Sequence, residues 1–209
     1  MPYDPQIHHR RSVRLAGYDY SFPAGYFVTI CAEKRACIFG EVKNERVVLS
    51  EIGRVVHQCW FDLVGKYPGL ELDAFVLMPN HLHGVWGLFC GDVKECGAVP
   101  TLGTVMGFFK YESTKRVNEM TGVAGAKVWQ RSYYDHVIRD NRSLGAIREY
   151  IETNPERWEQ DAENPGGRGG DDVNAWVRKL NPNVLGKGGE GGETPPLQKR
   201  RQVGDVREY

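Results

Sequence analysis

The chain has 209 residues, with 27 basic and 27 acidic side chains, so its formal net charge is zero. A content of 41% hydrophobic and 26% charged residues is typical of a soluble protein with one domain plus a tail, or with two small domains. No apolar run reaches the roughly 18 residues that a membrane-spanning helix needs, and residues 1–14 lack the apolar stretch of a secretory signal. These features exclude an integral membrane protein and favour a cytoplasmic one.

Cysteine usage and local charge narrow the class of protein further. The five cysteines are an odd number without Cys-x-x-Cys spacing, which is typical of reduced cytoplasmic thiols rather than of disulfides or a zinc cluster. A zero net charge argues mildly against a nucleic-acid-binding protein. Basic segments nevertheless occur at 8–14 and 199–201, and each is either a phosphate-contacting arm or a solvated surface. The basic residues of the first segment are Arg10, Arg11 and Arg14.

The first half of the chain predicts strands followed by a helix. Residues 26–32 are rich in β-branched and aromatic side chains, which predicts a strand, and a short hairpin is expected over 39–49. Ser50 is a good N-cap, and the apolar residues after it recur every 3.6 positions, which predicts an amphipathic helix ending near Gly65. His57 lies off this apolar stripe and is expected to be exposed without a role.

The second half predicts a further hairpin, two helices and a strand between them. Strands are expected over 70–78 and 81–89, a helix over 102–121, a strand ending near Arg139, and a third helix over 142–154. The element order fits an α+β fold of the ferredoxin-like kind, a two-layer sandwich with a mainly antiparallel sheet and helices packed on it.

Three parts of the chain are predicted from composition. Residues 1–20 are expected to form a basic arm and residues 21–163 the folded domain. Residues 164–209 are rich in glycine and proline, so we expect a mostly disordered tail.

His81 and His83 are one residue apart in an apolar run that follows a Pro-Asn turn. If this run is a strand, both side chains lie on the same face, whereas Leu82 lies on the other. Two adjacent imidazoles on a rigid strand form half of a site for a divalent metal ion. Alternatively, they are structural histidines with satisfied hydrogen bonds, and this pair alone does not decide between the two.

Tyr150 and Asn154 are four residues apart on the predicted third helix and so share one helical face. A phenol can act as a nucleophile and an amide oxygen can bind a metal ion. Judged by spacing alone, such a pair is more often a surface or packing pair than part of an active site.

Four sequence blocks together resemble one family. Residues 78–84, Met-Pro-Asn-His-Leu-His-Gly, resemble the His-hydrophobic-His (HUH) signature of single-tyrosine transposases, in particular the insertion-sequence 200-like superfamily and its REP-associated branch. Blocks 26–30, 128–140 and 150–155 strengthen this resemblance, which covers about residues 17–160 in the same order.

The resemblance implies a ferredoxin-like fold and a metal-dependent endonuclease and strand transferase for single-stranded DNA, with a 5′-phosphotyrosine intermediate and frequent recognition of hairpins. It assigns His81 and His83 to the metal, Mg²⁺ or Mn²⁺, and Tyr150 to the nucleophile. Asn154 stands where such enzymes carry a third polar ligand, which is often glutamine. A monomer and a homodimer both fit the resemblance, and the REP-associated branch favours the monomer.

Further candidates remain open between DNA contact and structural roles. On the predicted second helix, Lys110, Lys115 and Arg116 are either DNA contacts or a solvated basic face. Arg131 and His136, in the third block, are also candidate DNA contacts, although a structural role is equally open for His136. Tyr133 and Tyr134 compete with Tyr150 as nucleophiles, but core packing or base stacking is favoured for both.

Two alternatives to the transferase follow from the same residues. A non-catalytic module on this fold would bind single-stranded or hairpin DNA or RNA without cleaving it. A metallohydrolase would need only the two histidines and a base, and a tyrosine within reach of the metal would argue against it. The sequence determines neither the DNA target nor the physiological role, nor whether Tyr150 acts on the metal site of its own chain.

Overall fold

A computed structural model describes residues 25–88 and 100–170 of the chain. The predicted arm with Arg10, Arg11 and Arg14 lies outside the described residues, and so does the predicted tail beyond residue 170. No helix within the described ranges is long and apolar enough to cross a membrane.

The first half of the fold contains three strands and two helices. Strand β1 spans Gly25–Cys31, and a hairpin follows, formed by β2 (Gly40–Lys43) and β3 (Arg46–Leu49). Helix α1 spans Glu51–Phe61 and the short helix α2 spans Leu63–Lys66. The predicted strand, hairpin and helix are therefore confirmed, except that the helix expected to end near Gly65 is interrupted at residue 62.

The second half contains the hairpin with the two histidines and two long helices. Strands β4 (Leu70–Leu77) and β5 (His81–Leu88) form the hairpin, and helix α3 (Leu102–Thr121) follows. Strand β6 spans Tyr134–Ile138 and helix α4 spans Asn141–Glu152. A 3₁₀ helix over Pro155–Gln160 comes directly after α4.

Within the described residues, four strands form one antiparallel sheet in the order β4-β5-β1-β6, and β2 pairs only with β3. Without the small hairpin, the chain runs β-α-β-β-α-β through this sheet, and α1 packs against α3. This is the ferredoxin-like arrangement of an α+β fold. The predicted fold class is confirmed.

Local capping explains where the helices begin and end. The Ser50 hydroxyl accepts a hydrogen bond from the Gly53 N–H at 3.0 Å at the start of α1. The Asp140 carboxylate accepts one from the Ser143 N–H at 2.7 Å at the start of α4. Gly122 has a φ of 70°, a conformation that glycine adopts without strain, and it ends α3. Of these, the N-cap at Ser50 was predicted from the sequence.

Both faces of the sheet are covered. On one face, Trp60 of α1 and Phe109 of α3 pack with Tyr26, Leu82 and Trp86 of the sheet. On the other face, α4 packs with Phe27, Val85 and Ile138 through residues of its apolar side, namely Leu144, Ile147, Tyr150 and Ile151. Helix α4 is therefore the element added to the open face of the two-layer sandwich.

Gly84 permits a close approach between β5 and α1. A Cβ atom at this position would lie 2.4 Å from the Trp60 ring, far inside van der Waals contact. Trp60 therefore packs directly onto the strand next to the two histidines, on the face opposite to them. This contact packs β5 against α1.

His57 differs from its expected exposed position. It is half-buried, and its ring lies 4.8 Å from that of Phe61 and 5.6 Å from that of Phe75 on β4. Burial lowers the pKa of His57. The sequence missed this because the contact with β4 depends on the packing of helix against sheet.

Candidate metal centre and nucleophile

The two histidines of β5 lie on the face of the sheet that α4 covers. Both are fully buried, and their Nε2 atoms are 3.0 Å apart. Leu82 between them packs into the opposite core, so the predicted alternation along the strand is confirmed. Since metal–nitrogen bonds are about 2.1 Å long, this separation allows both nitrogens to bind the same ion.

The second nitrogen of each imidazole has an oxygen partner. His81 Nδ1 lies 2.9 Å from Asn80 Oδ1, and His83 Nδ1 lies 2.8 Å from the hydroxyl oxygen of Thr29 on β1. Contacts of this kind orient imidazoles that bind metal ions. They direct both Nε2 atoms towards one point.

Asp161 adds a carboxylate to the two imidazoles. Its Oδ2 atom lies 3.6 Å from His81 Nε2, and the possible ligand atoms of Asp161, His81 and His83 all lie within 4.8 Å of one another. All three side chains are buried. Sequence reasoning missed Asp161 because it stands after the 3₁₀ helix, with no spacing that connects it to the histidines.

Asn154 lies at the same place, as its position relative to Tyr150 suggested. It is 1% exposed, and its Oδ1 atom has no hydrogen-bond partner among the described residues. The side chain is nevertheless close enough to His81 to favour the protonated imidazole. A buried amide oxygen without a hydrogen bond beside two imidazoles fits a group whose partner is a metal ion.

Helix α4 brings Tyr150 to the histidines of its own chain. The Tyr150 ring is 2% exposed and its centre lies 5.3 Å from that of His83. The guanidinium of Arg157, on the 3₁₀ helix, lies over the Tyr150 ring at 5.1 Å from its centre. The phenol ring of Tyr150 therefore lies between the candidate metal group and the positive charge of Arg157.

Burial keeps both imidazoles neutral. The pKa of His81 is lowered to about 3, mainly by burial and also by the charge of Arg35, against a smaller opposite effect of Asn154. Burial also holds the pKa of His83 well below its usual value, with a smaller effect from His81. The neutral imidazole is the form that binds metal ions, so the site is ready for an ion at neutral pH.

The competing tyrosines occupy other positions. Tyr134 lies on β6 and its ring packs against Phe27 at 6.4 Å. Tyr133 packs against the core on the opposite face of the sheet. Neither has the ring contact with His83 that Tyr150 makes.

The basic residues of α3 mostly make contacts within the chain. Lys110 donates hydrogen bonds to the backbone oxygens of Gln130 and Arg131, and burial lowers its pKa. Arg116 pairs with Glu112 and Asp62. Lys115 Nζ lies 3.9 Å from a Glu119 oxygen in a half-exposed pair. DNA contact by these residues stays a prediction, and for Lys110 and Arg116 it would compete with these bonds.

Arg131 is exposed and His136 is half-buried opposite Phe27 in the sheet. The pKa of His136 is lowered to about 4, mainly by burial and also by the charge of Arg139, whereas Asp140 acts in the opposite direction. His136 is not part of the candidate metal group. Its role as a DNA contact stays a prediction, as does that of Arg131.

The fold and this site define a class: a ferredoxin-like α+β protein with a buried His-His-Asp group that could hold a metal ion, and with a tyrosine and an asparagine beside it. The chain belongs to the family of an uncharacterized protein from Haemophilus influenzae, to which it is 38% identical over 173 residues. The matched region is 76% of this chain and 95% of that protein. No family model matches the chain.

Two solved structures are similar to this one. The first, a REP-associated tyrosine transposase bound to a REP hairpin, is 18% identical with a TM-score of 0.49, over 67% of this chain and 72% of that chain. The second is a Deinococcus radiodurans protein provisionally described as a transposase, which is 19% identical with a TM-score of 0.41, over 65% of this chain and 92% of that chain.

Proposed function

We propose that the protein is a metal-dependent endonuclease and strand transferase for single-stranded DNA that acts through a 5′-phosphotyrosine intermediate. One observation carries the proposal: the phenol ring of Tyr150 packs on His83, inside a group that also contains His81, Asn154 and Asp161. Two neutral imidazoles, an amide oxygen and a carboxylate form a ligand set, and the tyrosine is a nucleophile beside it.

The proposed ligands are His81, His83, Asn154 and Asp161, and the proposed ion is Mg²⁺ or Mn²⁺. When bound, the ion would supply Lewis-acid stabilisation of the scissile phosphate. Asp161 adds negative charge, which favours a divalent cation in a buried group of otherwise neutral ligands. Asn154 stands just after the end of α4, four positions beyond Tyr150, and its buried side chain adds an amide oxygen to the group.

In the proposed reaction, Tyr150 Oη attacks the phosphorus and forms a bond to the 5′-phosphate. The bond between the phosphorus and the 3′-oxygen breaks, and the leaving 3′-oxygen takes up one proton to become a hydroxyl, which balances the proton that the phenol loses. The positive charge of Arg157 beside the ring stabilises the phenolate as the proton leaves. Attack by another 3′-hydroxyl reverses the step and rejoins DNA, because the phosphotyrosine retains the energy of the broken bond.

The substrate must displace part of the chain to reach this group. The ring of Trp158 lies 6.0 Å from that of His81, and Asp161 lies beside the same histidine. Both histidines are fully buried. A phosphate can therefore reach the site only if the Trp158 side chain moves away from His81, while Arg157 and Asp161 keep their places.

Because Tyr150 adjoins the histidines of its own chain, we propose action within one chain by a monomer in the cytoplasm, on single-stranded or hairpin DNA. The complete burial of both histidines favours one alternative, a non-catalytic module that binds single-stranded or hairpin DNA or RNA. A tyrosine beside the histidines argues against a simple metallohydrolase.

A covalent-adduct assay tests the proposal. The full chain is incubated with single-stranded hairpin oligonucleotides and Mg²⁺ or Mn²⁺, and the products are separated on a denaturing gel. We expect a protein–DNA adduct that Tyr150→Phe abolishes and the control Tyr133→Phe retains. An adduct in Tyr150→Phe would overturn the nucleophile, cleavage without any adduct would support a hydrolase, and binding without cleavage would support the module.

A further inference from the structure

We propose that Asn80 is the positioning residue of the metal centre, because its side-chain amide holds His81 in the tautomer whose Nε2 lone pair faces the other ligands. This inference rests on the proposed metal centre. It concerns a residue that binds neither ion nor DNA in the proposed function.

Hydrogen bonds determine the orientation of the Asn80 amide. The side chain is fully buried, and its Nδ2 atom donates to the backbone oxygens of Glu163 at 2.7 Å and of Arg35 at 3.2 Å. An amide nitrogen has two hydrogens, so both are used. The reversed amide would place Oδ1 against two carbonyl oxygens, so the oxygen must point towards His81.

That oxygen in turn determines the tautomer of His81. Asn80 Oδ1 lies 2.9 Å from His81 Nδ1, and an amide oxygen can only accept. His81 Nδ1 therefore carries the hydrogen. In a neutral imidazole the other nitrogen is then without one, so Nε2 presents its lone pair.

The lone pair of His81 Nε2 faces Asp161 Oδ2 at 3.6 Å and His83 Nε2 at 3.0 Å. The lone pair and the carboxylate oxygen of Asp161 repel each other, and a cation that both can bind removes this repulsion. The Nε2–H tautomer would instead donate to the carboxylate and occupy the ligand position. The Asn80 contact thus keeps the nitrogen available for an ion.

Thr29 differs from Asn80, because its hydroxyl can donate or accept. Without an ion, His81 Nε2 can only accept, so His83 Nε2 donates to it and His83 Nδ1 accepts from Thr29. With an ion, the His83 hydrogen must reside on Nδ1, and the hydroxyl rotates to accept it. The proton remains on the same ring, so the change at His83 releases none.

Nitrogen NMR of the imidazoles, together with Mn²⁺ titration, tests this inference on the full chain. In the metal-free protein we expect His81 with a protonated Nδ1 and a bare Nε2. Asn80→Ala removes the acceptor, so we expect a mixture of tautomers and a Mn²⁺ affinity about 10–100-fold weaker. The control is Asn118→Ala, which removes a half-buried asparagine whose amide also donates to a backbone oxygen, and it should behave as the wild type.

A second variant separates positioning from stability. Asn80→Asp keeps an acceptor for His81 but loses both donated bonds, so we expect it to be destabilised and yet to retain the wild-type tautomer. An Nε2–H tautomer of His81 in the wild type, or an unchanged Mn²⁺ affinity in folded Asn80→Ala, would overturn the inference. If the wild type binds Mn²⁺ no better than His81→Ala does, the metal centre itself is wrong, which is a different result.

Discussion

At the scale of single residues, the chemistry of the site follows from the removal of imidazoles from water. The sheet and α4 bury His81 and His83 completely, and the lowered pKa of each keeps it neutral far below pH 7. Neutral imidazoles have a lone pair to offer, whereas exposed histidines lose it to a proton near pH 6. Burial thus makes the candidate ligands usable in mildly acidic conditions.

Burial of a histidine also makes the free energy of unfolding depend on pH. His136 is suited to testing this dependence, because it is not part of the candidate metal group. Burial lowers its pKa to about 4 in the folded protein, against about 6.5 in an unfolded chain. Between these two values the unfolded state binds the proton and the folded state does not. The free energy of unfolding therefore falls as the pH falls through this window, by roughly 1 kcal/mol per pH unit for one such histidine.

We expect His136→Asn to reduce this dependence. Urea unfolding between pH 7 and pH 4 should show a shallower decline for the variant than for the wild type, whatever its stability at pH 7. Equal slopes in the two proteins would contradict the assigned burial of His136. The metal-free form is used, because an ion would add its own pH dependence.

At the scale of elements, helix α4 covers the sheet face that carries the two histidines and places Tyr150 beside them. Its apolar residues Leu144, Ile147 and Ile151 pack on the sheet face that carries the histidines. Tyr150 is on the same side of the helix and arrives beside His83 as part of that packing. The position of the proposed nucleophile is therefore a consequence of how the helix packs on the sheet.

A partly buried ion pair helps to fix that docking. Arg148 of α4 contacts both carboxylate oxygens of Asp73 on β4, with Nε 2.7 Å from Oδ1. The two side chains are 16% and 7% exposed, respectively. We expect Asp73→Ala to lower the free energy of unfolding by about 2–3 kcal/mol, because it leaves a half-buried guanidinium without its partner.

Chemical denaturation checks this value. Glu149→Ala serves as a control, because Glu149 is an exposed neighbour of Arg148 on α4, and it should change stability by less than about 0.5 kcal/mol. Equal losses in the two variants would show that the pair does not anchor α4.

At the scale of the whole molecule, the candidate ligands connect distant parts of the chain. Two of them lie on β5, one follows α4 and one follows the 3₁₀ helix. A site made of all four ligands exists only in the folded state, so the binding energy of an ion would add to the stability of the entire domain.

We therefore expect Mn²⁺ to raise the melting temperature of the wild type. At an ion concentration of about 100 times the dissociation constant, the gain is roughly 2.7 kcal/mol, or about 5–10 °C for a domain of this size. A chelator should reverse the shift, and His83→Ala should abolish most of it. Equal shifts in wild type and variant would place the ion elsewhere.

The sequence by itself determined the features that depend on near neighbours. The helix cap at Ser50, the shared face of His81 and His83, and the four-residue spacing of Tyr150 and Asn154 are all local patterns. The element order then limits the sheet to few arrangements, which is why the ferredoxin-like fold could be predicted.

Only the tertiary structure decided which distant side chains meet. Asp161 joins the histidines, Asn80 is oriented by the backbone of Glu163 and Arg35, and Lys110 is occupied by backbone oxygens near α3. These contacts join residues between 20 and 83 positions apart, with no periodicity between them. The packing of β5, α4 and the 3₁₀ helix against one another determines which of these side chains meet. Local sequence patterns do not predict that packing.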